Sequence, residues 1–431
     1  MVALGIDFGT SGARAIALHP SGKIVATARY RFAPSDVADA AAWQRVLWHL
    51  IGELGSDVLS CLTRIAINGT SATVLLCDDK GAALTSPLLY NDASARDVLS
   101  DIRLVAPADS PTLSATSSLA KAMWWYRTLD ASVLERVALL CHQADWLASL
   151  LHGQMPVSDY HNALKLGYDV STLSYPDWIR ALPIAPWLPG VKVPGEVISP
   201  ITPAIAEHFS IPKTCQICTG TTDSIAAFLA SGARRVGEAV TSLGSTLVLK
   251  LLSTMPVDES TFGIYSHRLG DLWLVGGASN TGGVVLQKYF SSDEIATLSA
   301  QIDSSKPCEL DYYPLTSPGE RFPVNDPDYA PRLSPRPEND VDFLYEMLNA
   351  IARIEAEGYQ KLHDLGAPAV SQVLTAGGGA QNQVWQQLRA SHLGIPVSSA
   401  EHTEAAYGTA KLALVGLNLD AEAVSNEHTA Q

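Results

Sequence analysis

Strand-like and helix-like segments alternate along the chain, and the pattern starts again near residue 236. In the first half, β-rich runs bounded by glycine or polar turns fall at 2–7, 14–18, 23–31, 64–68 and 73–77. Segments with helical periodicity follow, among them 132–139. The second half repeats this order, includes one apolar helix face over 340–364, and ends in two strand–helix pairs between 371 and 416. The alternation predicts an α/β fold, divided into a domain of residues 1–235 and a domain of residues 236–431.

The length and the charge of the chain limit the number of domains and the kinds of partner that it can have. A chain of 431 residues exceeds the roughly 250–300 residues at which one hydrophobic core stops growing. It has 29 Lys and Arg against 44 Asp and Glu, a net charge of −15. This argues against nucleic acid or an anionic membrane as the main partner, so local groups must hold any bound phosphate. The oligomeric state is left open.

The start of the chain carries neither a basic flank nor an apolar stretch long enough for a secretory signal. No apolar run approaches the roughly 18 residues that a membrane span needs. We therefore expect a cytoplasmic protein, or a plastid protein if a transit peptide has been removed.

Asp7 lies near the end of an otherwise apolar strand, two residues before a glycine turn. An ionised carboxylate in such a position is costly unless it is paired or bound to a cation. Mg²⁺ prefers one or two carboxylates together with phosphate and water, so Asp7 is a candidate magnesium ligand. The alternative is a strand-end aspartate that accepts hydrogen bonds from the N–H groups of the turn.

The turn that follows reads Gly9-Thr10-Ser11-Gly12. Its glycines allow the backbone to approach a ligand closely, and successive N–H groups can surround an anion. The two hydroxyl groups add further donors. Arg14, two residues beyond the turn, could reach a substrate oxygen or a phosphate, or it could be an exposed hairpin charge.

Two further turns carry polar residues between apolar segments. In 239–252, Gly244-Ser245-Thr246 joins two apolar strands, as the first turn does, although such hairpin turns are also common without a ligand. In 219–224, TGTTDS stands between an apolar strand and a helix, with Asp223 at the start of that helix. Asp223 is a candidate general base toward a hydroxyl nucleophile, and the alternative is an N-cap formed by Thr222 or Asp223.

Three glycines, 377–379, separate a predicted strand from a predicted helix near the end of the chain. A nucleotide could approach the backbone here. A dinucleotide-binding fingerprint is the competing interpretation, but its third small position is Asn382 and the motif should open a domain. The chain has no GxxxxGK[ST] motif, which excludes a P-loop. Trp385 follows on the predicted helix, where it could pack in the core.

Together these segments resemble the FGGY family of carbohydrate kinases, which has the actin-like, ribonuclease-H-like ATPase fold. GIDFGTSGARAIAL resembles the family's first phosphate motif, and SLGST resembles its second phosphate turn. GTTDSIAAF resembles the motif of the catalytic aspartate, and LTAGGGAQNQVWQQLRASHLGIPV resembles the adenosine-binding signature. The match runs from residue 2 to about 417. It implies an α/β protein of two ribonuclease-H-like domains with the active site in the cleft between them.

The resemblance also implies ATP and Mg²⁺ as cofactors and a role for each matched residue. Asp7 would serve Mg²⁺, the phosphates and the sugar, and Asp223 would bind the sugar and act as the catalytic base. The other residues implied in sugar binding are Ser11, Gly12, Ala13, Arg14 and Ser71. The residues implied in nucleotide binding are Gly9, Thr10, Gly244, Ser245, Thr246, Gly378, Gly379, Asn382 and Trp385. ATP would lie mainly on the second half of the chain and the sugar on the first.

The expected sugar follows from the residues implied to face it. The TDS form of the catalytic motif, with INGTSATVLL at 67–76, most resembles the compact D-ribulose kinases of cyanobacteria and plastids. Xylulose kinases usually have a Met-His pair where this chain has Thr70-Ser71, and Asn or Gln where it has Ser224. We therefore predict phosphorylation of D-ribulose to D-ribulose 5-phosphate. The alternatives are D-xylulose, L-ribulose or a polyol as substrate and, in a different class, an actin-like ATPase with no sugar substrate.

Overall fold

The computed structural model describes residues 2–417 and 419–423, which fall into two compact units. The first unit contains the residues up to 230 together with 404–417, and the second contains 231–403 together with 419–423.

The strands of the first half are β1 (Val2–Phe8), β2 (Gly12–Leu18), β3 (Ile24–Arg31), β4 (Leu62–Gly69), β5 (Val74–Cys77), β6 (Leu139–His142), β7 (Ser158–Asp159), β8 (Val191–Lys192), β9 (Val197–Pro200), β10 (Gln216–Cys218) and β11 (Thr221–Thr222). Its helices are α1 (Ala40–Gly52), α2 (Ser56–Leu59), α3 (Leu99–Arg103), α4 (Ser118–Thr128), α5 (Ala131–Leu134), α6 (Gln143–His152), α7 (Tyr160–Ala163), α8 (Asp177–Arg180), α9 (Pro203–Phe209) and α10 (Asp223–Ser231).

The strands of the second half are β12 (Arg235–Val236), β13 (Glu238–Leu243), β14 (Leu247–Ser253), β15 (His267–Leu269), β16 (Leu272–Ser279), β17 (Gln372–Ala376), β18 (Val397–Ser399) and β19 (Asp420–Ala423). Its helices are α11 (Gly283–Gln287), α12 (Ser292–Ser299), α13 (Asp340–Asp364), α14 (Gln383–Leu393) and α15 (Ala405–Val415).

The first unit is built on a sheet with the strand order β3-β2-β1-β4-β10-β9, and β11 also pairs with β4. Strands β1, β10 and β11 run parallel to β4, while β2 and β3 form an antiparallel meander beside β1. Apolar side chains of β1 and β4 are buried against α1 and α6, where the rings of Trp43 and Trp146 meet edge to face. Asp39 caps α1 by accepting a hydrogen bond from the amide of Ala41, which fixes where that helix begins.

Helix α15, although it comes near the end of the chain, packs on β1, β2 and β4 of the first unit. The contact with the sheet is close at Gly5 of β1, where a Cβ would lie 2.2 Å from the carbonyl oxygen of Ala406. Gly408 of the same helix faces α10, where a Cβ would lie 1.8 Å from the carbonyl oxygen of Ala226. The compact units group α15 with the first half of the chain, while the expected domain of residues 236–431 includes it. The division into residues 1–235 and 236–431 stays a prediction.

The second unit is built on a sheet with the strand order β15-β16-β14-β13-β17-β18. Strands β13, β17 and β18 are parallel, and β14 to β16 are antiparallel. Helix α13 buries an apolar stripe that includes Phe343, Met347 and Ile351. Its first turn is acidic and its last turn carries Lys361 and His363. Charges of these signs at the two ends interact favourably with the helix dipole and stabilise the helix.

The predicted α/β class is confirmed, and α13 agrees with the apolar stripe that predicted it. The helix predicted over 132–139 was too long: α5 ends at Leu134, residues 135–138 form a turn and connection, and Leu139 already belongs to β6, which pairs with β5. Helix α12 and strand β9 were not predicted.

Candidate active site

A row of polar side chains crosses the sheet of the first unit. Asp7 on β1 pairs in register with Arg14 on β2 and with Asn68 on β4, and Asn68 pairs in turn with Thr221 on β11. Asp223 follows β11 directly as the first residue of α10. Both acids therefore lie at the carboxyl end of parallel strands, which is where open α/β sheets bind ligands. Strands β1 and β11 flank β4, so their backbones are about 10 Å apart.

The two acids interact electrostatically. Burial raises the pKa of Asp7 to about 7, the charge of Asp223 adds to this rise, and Arg14 opposes it. The Oδ1 atom of Asp7 is buried and has no hydrogen-bond partner in the described part of the chain. The alternative interpretation, in which the N–H groups of the turn donate hydrogen bonds to the Asp7 carboxylate, therefore does not account for this oxygen. Two nearby carboxylates with an unpaired buried oxygen form a place that a cation would stabilise.

The donor set fits Mg²⁺ in particular. Among residues 2–417 and 419–423 there is no group of three or more acidic, histidine or cysteine side chains that could hold a metal ion. Mg²⁺ does not need such a group, because in kinase sites it takes one or two carboxylates and completes its shell with phosphate oxygens and water. Asp7 is the side chain that would hold it.

Arg14 forms an ion pair with a residue that is far away in the sequence. It forms an ion pair with Glu404, which precedes α15, and Arg29 lies 3.5 Å from the same carboxylate. Arg14 is about one-third exposed. Arg14 is therefore a partly exposed charge that is paired with Glu404, and its predicted contact with sugar or phosphate stays a prediction.

The first turn is closed by a hydrogen bond from the amide of Gly9 to the carbonyl of Gly12 (3.0 Å), which leaves Thr10 and Ser11 exposed at its tip. A Cβ on Gly12 would lie 2.2 Å from the carbonyl oxygen of Tyr30, so the approach of β3 already requires glycine there. The side chain of Ala13 is buried in the core, so only its backbone is available for the predicted contact with substrate.

Asp223 is half-buried, and its Oδ1 accepts a hydrogen bond from the amide of Ser224 (2.8 Å). The hydroxyl of Thr222 is buried without a hydrogen-bond partner in the described residues, so Thr222 does not cap α10 through its side chain. Asn68, between the two acids in register, likewise has an unpaired Oδ1, while its amide donates to Thr409 (2.5 Å). Neither Asn68 nor Thr222 was identified as a site residue from the sequence.

Six of the residues predicted to bind nucleotide line one cavity of about 600 Å³ in the second unit. They are Gly244, Ser245, Gly378, Gly379, Asn382 and Trp385. The ends of β13 and β17, which are parallel neighbours, bring the two glycine turns together. Thr246 does not line this cavity, and its predicted phosphate contact stays a prediction. A cavity of about 640 Å³ beside α13 contains none of the predicted residues.

The sequence did not identify the opposite wall of the cavity. Gly283 donates a backbone hydrogen bond to the carbonyl of Gly244 (2.8 Å), and Ile295 and Ser299 of α12 line the space. The pair Gly282-Gly283, at the start of α11, was the signal that could have indicated this segment.

Asn382 and Trp385 also have structural roles. The side-chain Oδ1 of Asn382 caps α14 by accepting from the amide of Trp385 (3.0 Å), and its side-chain Nδ2 donates to the hydroxyl of Ser299 (2.8 Å). The indole of Trp385 is almost fully buried in the core of the second unit while it lines the cavity. Its Nε1 has no hydrogen-bond partner in the described residues. The two alternatives for Trp385, cavity wall and core, are therefore both present.

A buried ion pair lies under the two glycine turns. Arg389 of α14 donates to both carboxylate oxygens of Glu355 (2.5 and 2.7 Å) and to the hydroxyl of Thr375 (2.6 Å). Thr241 donates to the same carboxylate (2.5 Å), and Thr241 and Thr375 are register partners on β13 and β17. This network joins the two strands shortly before each reaches its turn.

The variant Arg389→Met should lower the free energy of unfolding by about 3–5 kcal/mol, because it leaves the Glu355 carboxylate buried and unpaired. Urea unfolding followed by circular dichroism measures this change. The double variant Arg389→Met/Glu355→Leu should recover most of the loss, since it removes both charges. A single variant as stable as the original protein would show that the pair contributes nothing to the second unit.

Comparison with known proteins identifies the family. The model of the N-terminal domain of the FGGY family of carbohydrate kinases matches residues 2–230, and that of its C-terminal domain matches 239–417. The chain belongs to the FGGY family of carbohydrate kinases. This membership makes it an ATP-dependent sugar kinase and confirms the resemblance drawn from the motifs at the level of the family.

The similar proteins include sugar kinases of several kinds. Xylulose kinase of Klebsiella pneumoniae is 22% identical, over 97% of this chain and 91% of the relative. The solved structure of a Rhodospirillum rubrum xylulose kinase has a TM-score of 0.81 at 22% identity, over 96% of this chain and 90% of that one. Plasmodium falciparum glycerol kinase with ADP has a TM-score of 0.80 at 16% identity, over 96% and 89%. These structures confirm the predicted fold of two ribonuclease-H-like domains.

These relatives are named xylulose kinase and L-fuculokinase, not D-ribulose kinase. The comparisons therefore establish a sugar kinase of the FGGY family without identifying its sugar. No helix in the described ranges, 2–417 and 419–423, combines the length and apolar character needed to cross a membrane.

Proposed function

We propose that this FGGY kinase transfers the terminal phosphoryl group of ATP to the terminal hydroxyl of D-ribulose, giving D-ribulose 5-phosphate and ADP. The observation that carries the proposal is the row that sets Asp7 and Asp223 at one edge of the first sheet. A kinase that acts on a hydroxyl group needs a base for the hydroxyl proton and a group that neutralises the phosphates. The row supplies one carboxylate for each task.

Asp223 acts as the base in this proposal. As the sugar oxygen bonds to phosphorus and the bond to the ADP oxygen breaks, the hydroxyl proton passes to the Asp223 carboxylate. The bond from the amide of Ser224 orients that carboxylate.

Asp7 holds Mg²⁺ in this proposal, through the buried oxygen that has no partner in the described residues. When bound, the ion neutralises charge on the phosphates. It would also favour the ionised form of Asp7, whose pKa burial and Asp223 otherwise raise to about 7.

The cavity of the second unit is the proposed nucleotide site. Backbone N–H groups of the two glycine turns can donate to phosphate oxygens, and the apolar wall formed by Ile295 and Trp385 suits a base. The indole Nε1 of Trp385 is a buried donor without a partner in the described residues, which a ligand could satisfy.

The variant Trp385→Ala should raise the KM for ATP by at least ~5-fold and leave the KM for sugar nearly unchanged, because contact between a base and an aromatic ring contributes about 1–3 kcal/mol. Steady-state kinetics with each substrate varied in turn measures both constants. Leu388→Ala is the matched control, since Leu388 is buried on the same helix and does not line the cavity. An equal rise in the KM for ATP in the two variants would show that Trp385 acts only as a core residue.

The choice of sugar depends on Ser71 and Ser224, which replace residues usual in xylulose kinases. Ser71 is half-buried on the loop after β4, and β4 carries Asn68 of the polar row. Two small hydroxyl side chains favour D-ribulose in this proposal. D-xylulose is the second candidate, because relatives over nearly the whole chain are named xylulose kinases.

A coupled ADP-release assay over D-ribulose, D-xylulose, L-ribulose, ribitol and xylitol, with and without Mg²⁺, tests this proposal. We expect the highest kcat/KM with D-ribulose and no turnover without Mg²⁺. A higher kcat/KM with D-xylulose would replace the sugar and keep the mechanism.

A further inference from the structure

Lys121 is a fully buried lysine in α4. Its Nζ donates to the carbonyl oxygen of Ala72 (2.7 Å) and to that of Leu89 (2.6 Å). A buried ammonium is costly, and burial lowers the pKa of Lys121 to about 8. The ammonium of Lys121 therefore lies in the interior and joins two separate loops by hydrogen bonds. One of these loops carries Ser71.

The loop around Ser71 has a closed conformation. The hydroxyl groups of Thr70 and Thr73 are 2.6 Å apart, and the amide of Thr73 donates to the carbonyl of Thr70 (3.2 Å). The side chain of Gln143 accepts from the amide of Thr70 (3.2 Å). These bonds hold the residues on either side of Ser71 and Ala72.

Ala72 has a φ of 63°, in the left-handed region that residues other than glycine avoid. Its own carbonyl is the one that Lys121 binds. An unfavourable backbone conformation persists only where its surroundings determine it. The hydrogen bond from Lys121 supplies such a constraint one residue after Ser71.

The second bond of Lys121 anchors the loop to a neighbouring segment. Leu89 follows Leu88, which exchanges two backbone hydrogen bonds with Val74 (2.9 and 3.0 Å) at the far end of the same loop. The ammonium therefore ties the middle of the loop to a segment that is itself paired with β5.

We propose that Lys121 is a positioning residue for the sugar: it holds Ala72 in the left-handed conformation and so places the Ser71 hydroxyl toward the substrate. This inference rests on the proposed function, because it takes Ser71 as a sugar contact. It assigns to the buried ammonium a role in sugar recognition that none of the four motifs indicates.

The variant Lys121→Met tests the inference, because methionine fills similar space without an N–H donor. We expect the KM for D-ribulose to rise by about 10-fold or more, since the loop loses the bond that holds it, while the KM for ATP changes less than about 2-fold. Arg127→Met is the matched control, because it removes a positive charge from the same helix whose partner is Asp101 at the protein surface. It should leave both constants unchanged.

A second substitution distinguishes positioning from general damage. Glycine adopts a φ near 63° without strain, so Ala72→Gly should restore much of the sugar KM in the Lys121→Met background. A variant that was merely less stable would not be rescued in this way. The thermal midpoint of each variant is measured beside the kinetics, and if Lys121→Met does not fold, Lys121→Leu, which also lacks a donor, takes its place in the same series.

An unchanged KM for D-ribulose in a folded variant would overturn the inference, and so would equal rises for sugar and ATP, or a failure of Ala72→Gly to rescue. If the original protein phosphorylates none of the sugars in the panel, the proposed function fails separately. Titration calorimetry of the sugar giving the best binding, with the original protein and Lys121→Met, then still tests Lys121, and equal affinities would contradict its role.

Discussion

Replacing Asp223 by alanine should lower kcat by at least ~100-fold, which is the lower range of the contribution of a general base. Asp223 follows β11 at the carboxyl end of the sheet, and Asp7, the other acid of the polar row, is assigned to Mg²⁺ in the proposal. The KM for ATP should change little, because the cavity proposed to bind the nucleotide is lined by residues of the second unit. The assay is ADP release at saturating D-ribulose and Mg²⁺.

Asp177→Ala is the matched control for this variant. Asp177 is also the first residue of a helix, α8, but it is exposed and lies outside the polar row. Its removal should leave kcat within about 2-fold, as expected for a surface carboxylate. Near-normal turnover in a folded Asp223→Ala protein would remove the base assignment.

The second large effect is expected from Asp7→Asn, which should abolish Mg²⁺-dependent activity and also stabilise the metal-free protein. The folded pKa of Asp7 is about 7, against about 4 for an unfolded aspartate. The folded state therefore binds more protons between these values, and the stability from this group is lost as the pH rises through that range. Asparagine cannot ionise, so the variant should be more stable at pH 8 by about 1–3 kcal/mol, a difference that shrinks toward pH 4.

Urea unfolding in EDTA at pH 4, 6 and 8 measures this pH dependence. Asp57→Asn, at an exposed position in the first turn of α2, should show no such change. If Asp7→Asn still responds normally to Mg²⁺ titration, or loses stability at pH 8, Asp7 has a structural role and does not hold the ion.

Site residues could be predicted from the sequence where a local sequence pattern contains a residue type that is suited to binding a ligand. Asp7 was predicted because a carboxylate in an apolar strand needs an explanation, and the structure leaves its buried oxygen unpaired in the described residues. The two glycine turns of the second unit were predicted for the same kind of reason, and they line one cavity.

Other features depend on contacts between distant parts of the chain. Glu404 belongs to the segment before α15 and pairs with Arg14 only because α15 packs on the first sheet. Nothing near Arg14 in the sequence indicates that partner. Likewise, Glu355 and Arg389 lie on two helices whose charged groups meet under the strands of the nucleotide cavity.

Asn382 shows a different limit of prediction. It was expected to contact the nucleotide, and its side chain both caps α14 and donates to Ser299. Side-chain amides are frequent caps, so the same residue fits both interpretations until the structure is known. Its predicted contact with the nucleotide remains to be tested.

The central claim is that the phosphoryl group of ATP reaches a sugar hydroxyl and not water. Incubation with D-ribulose, ATP and Mg²⁺, followed by ³¹P NMR, measures all the phosphorus-containing products at once. We predict equal amounts of ADP and D-ribulose 5-phosphate, with little inorganic phosphate. ADP accompanied by inorganic phosphate, in amounts that no sugar changes, would contradict the account and favour an actin-like ATPase.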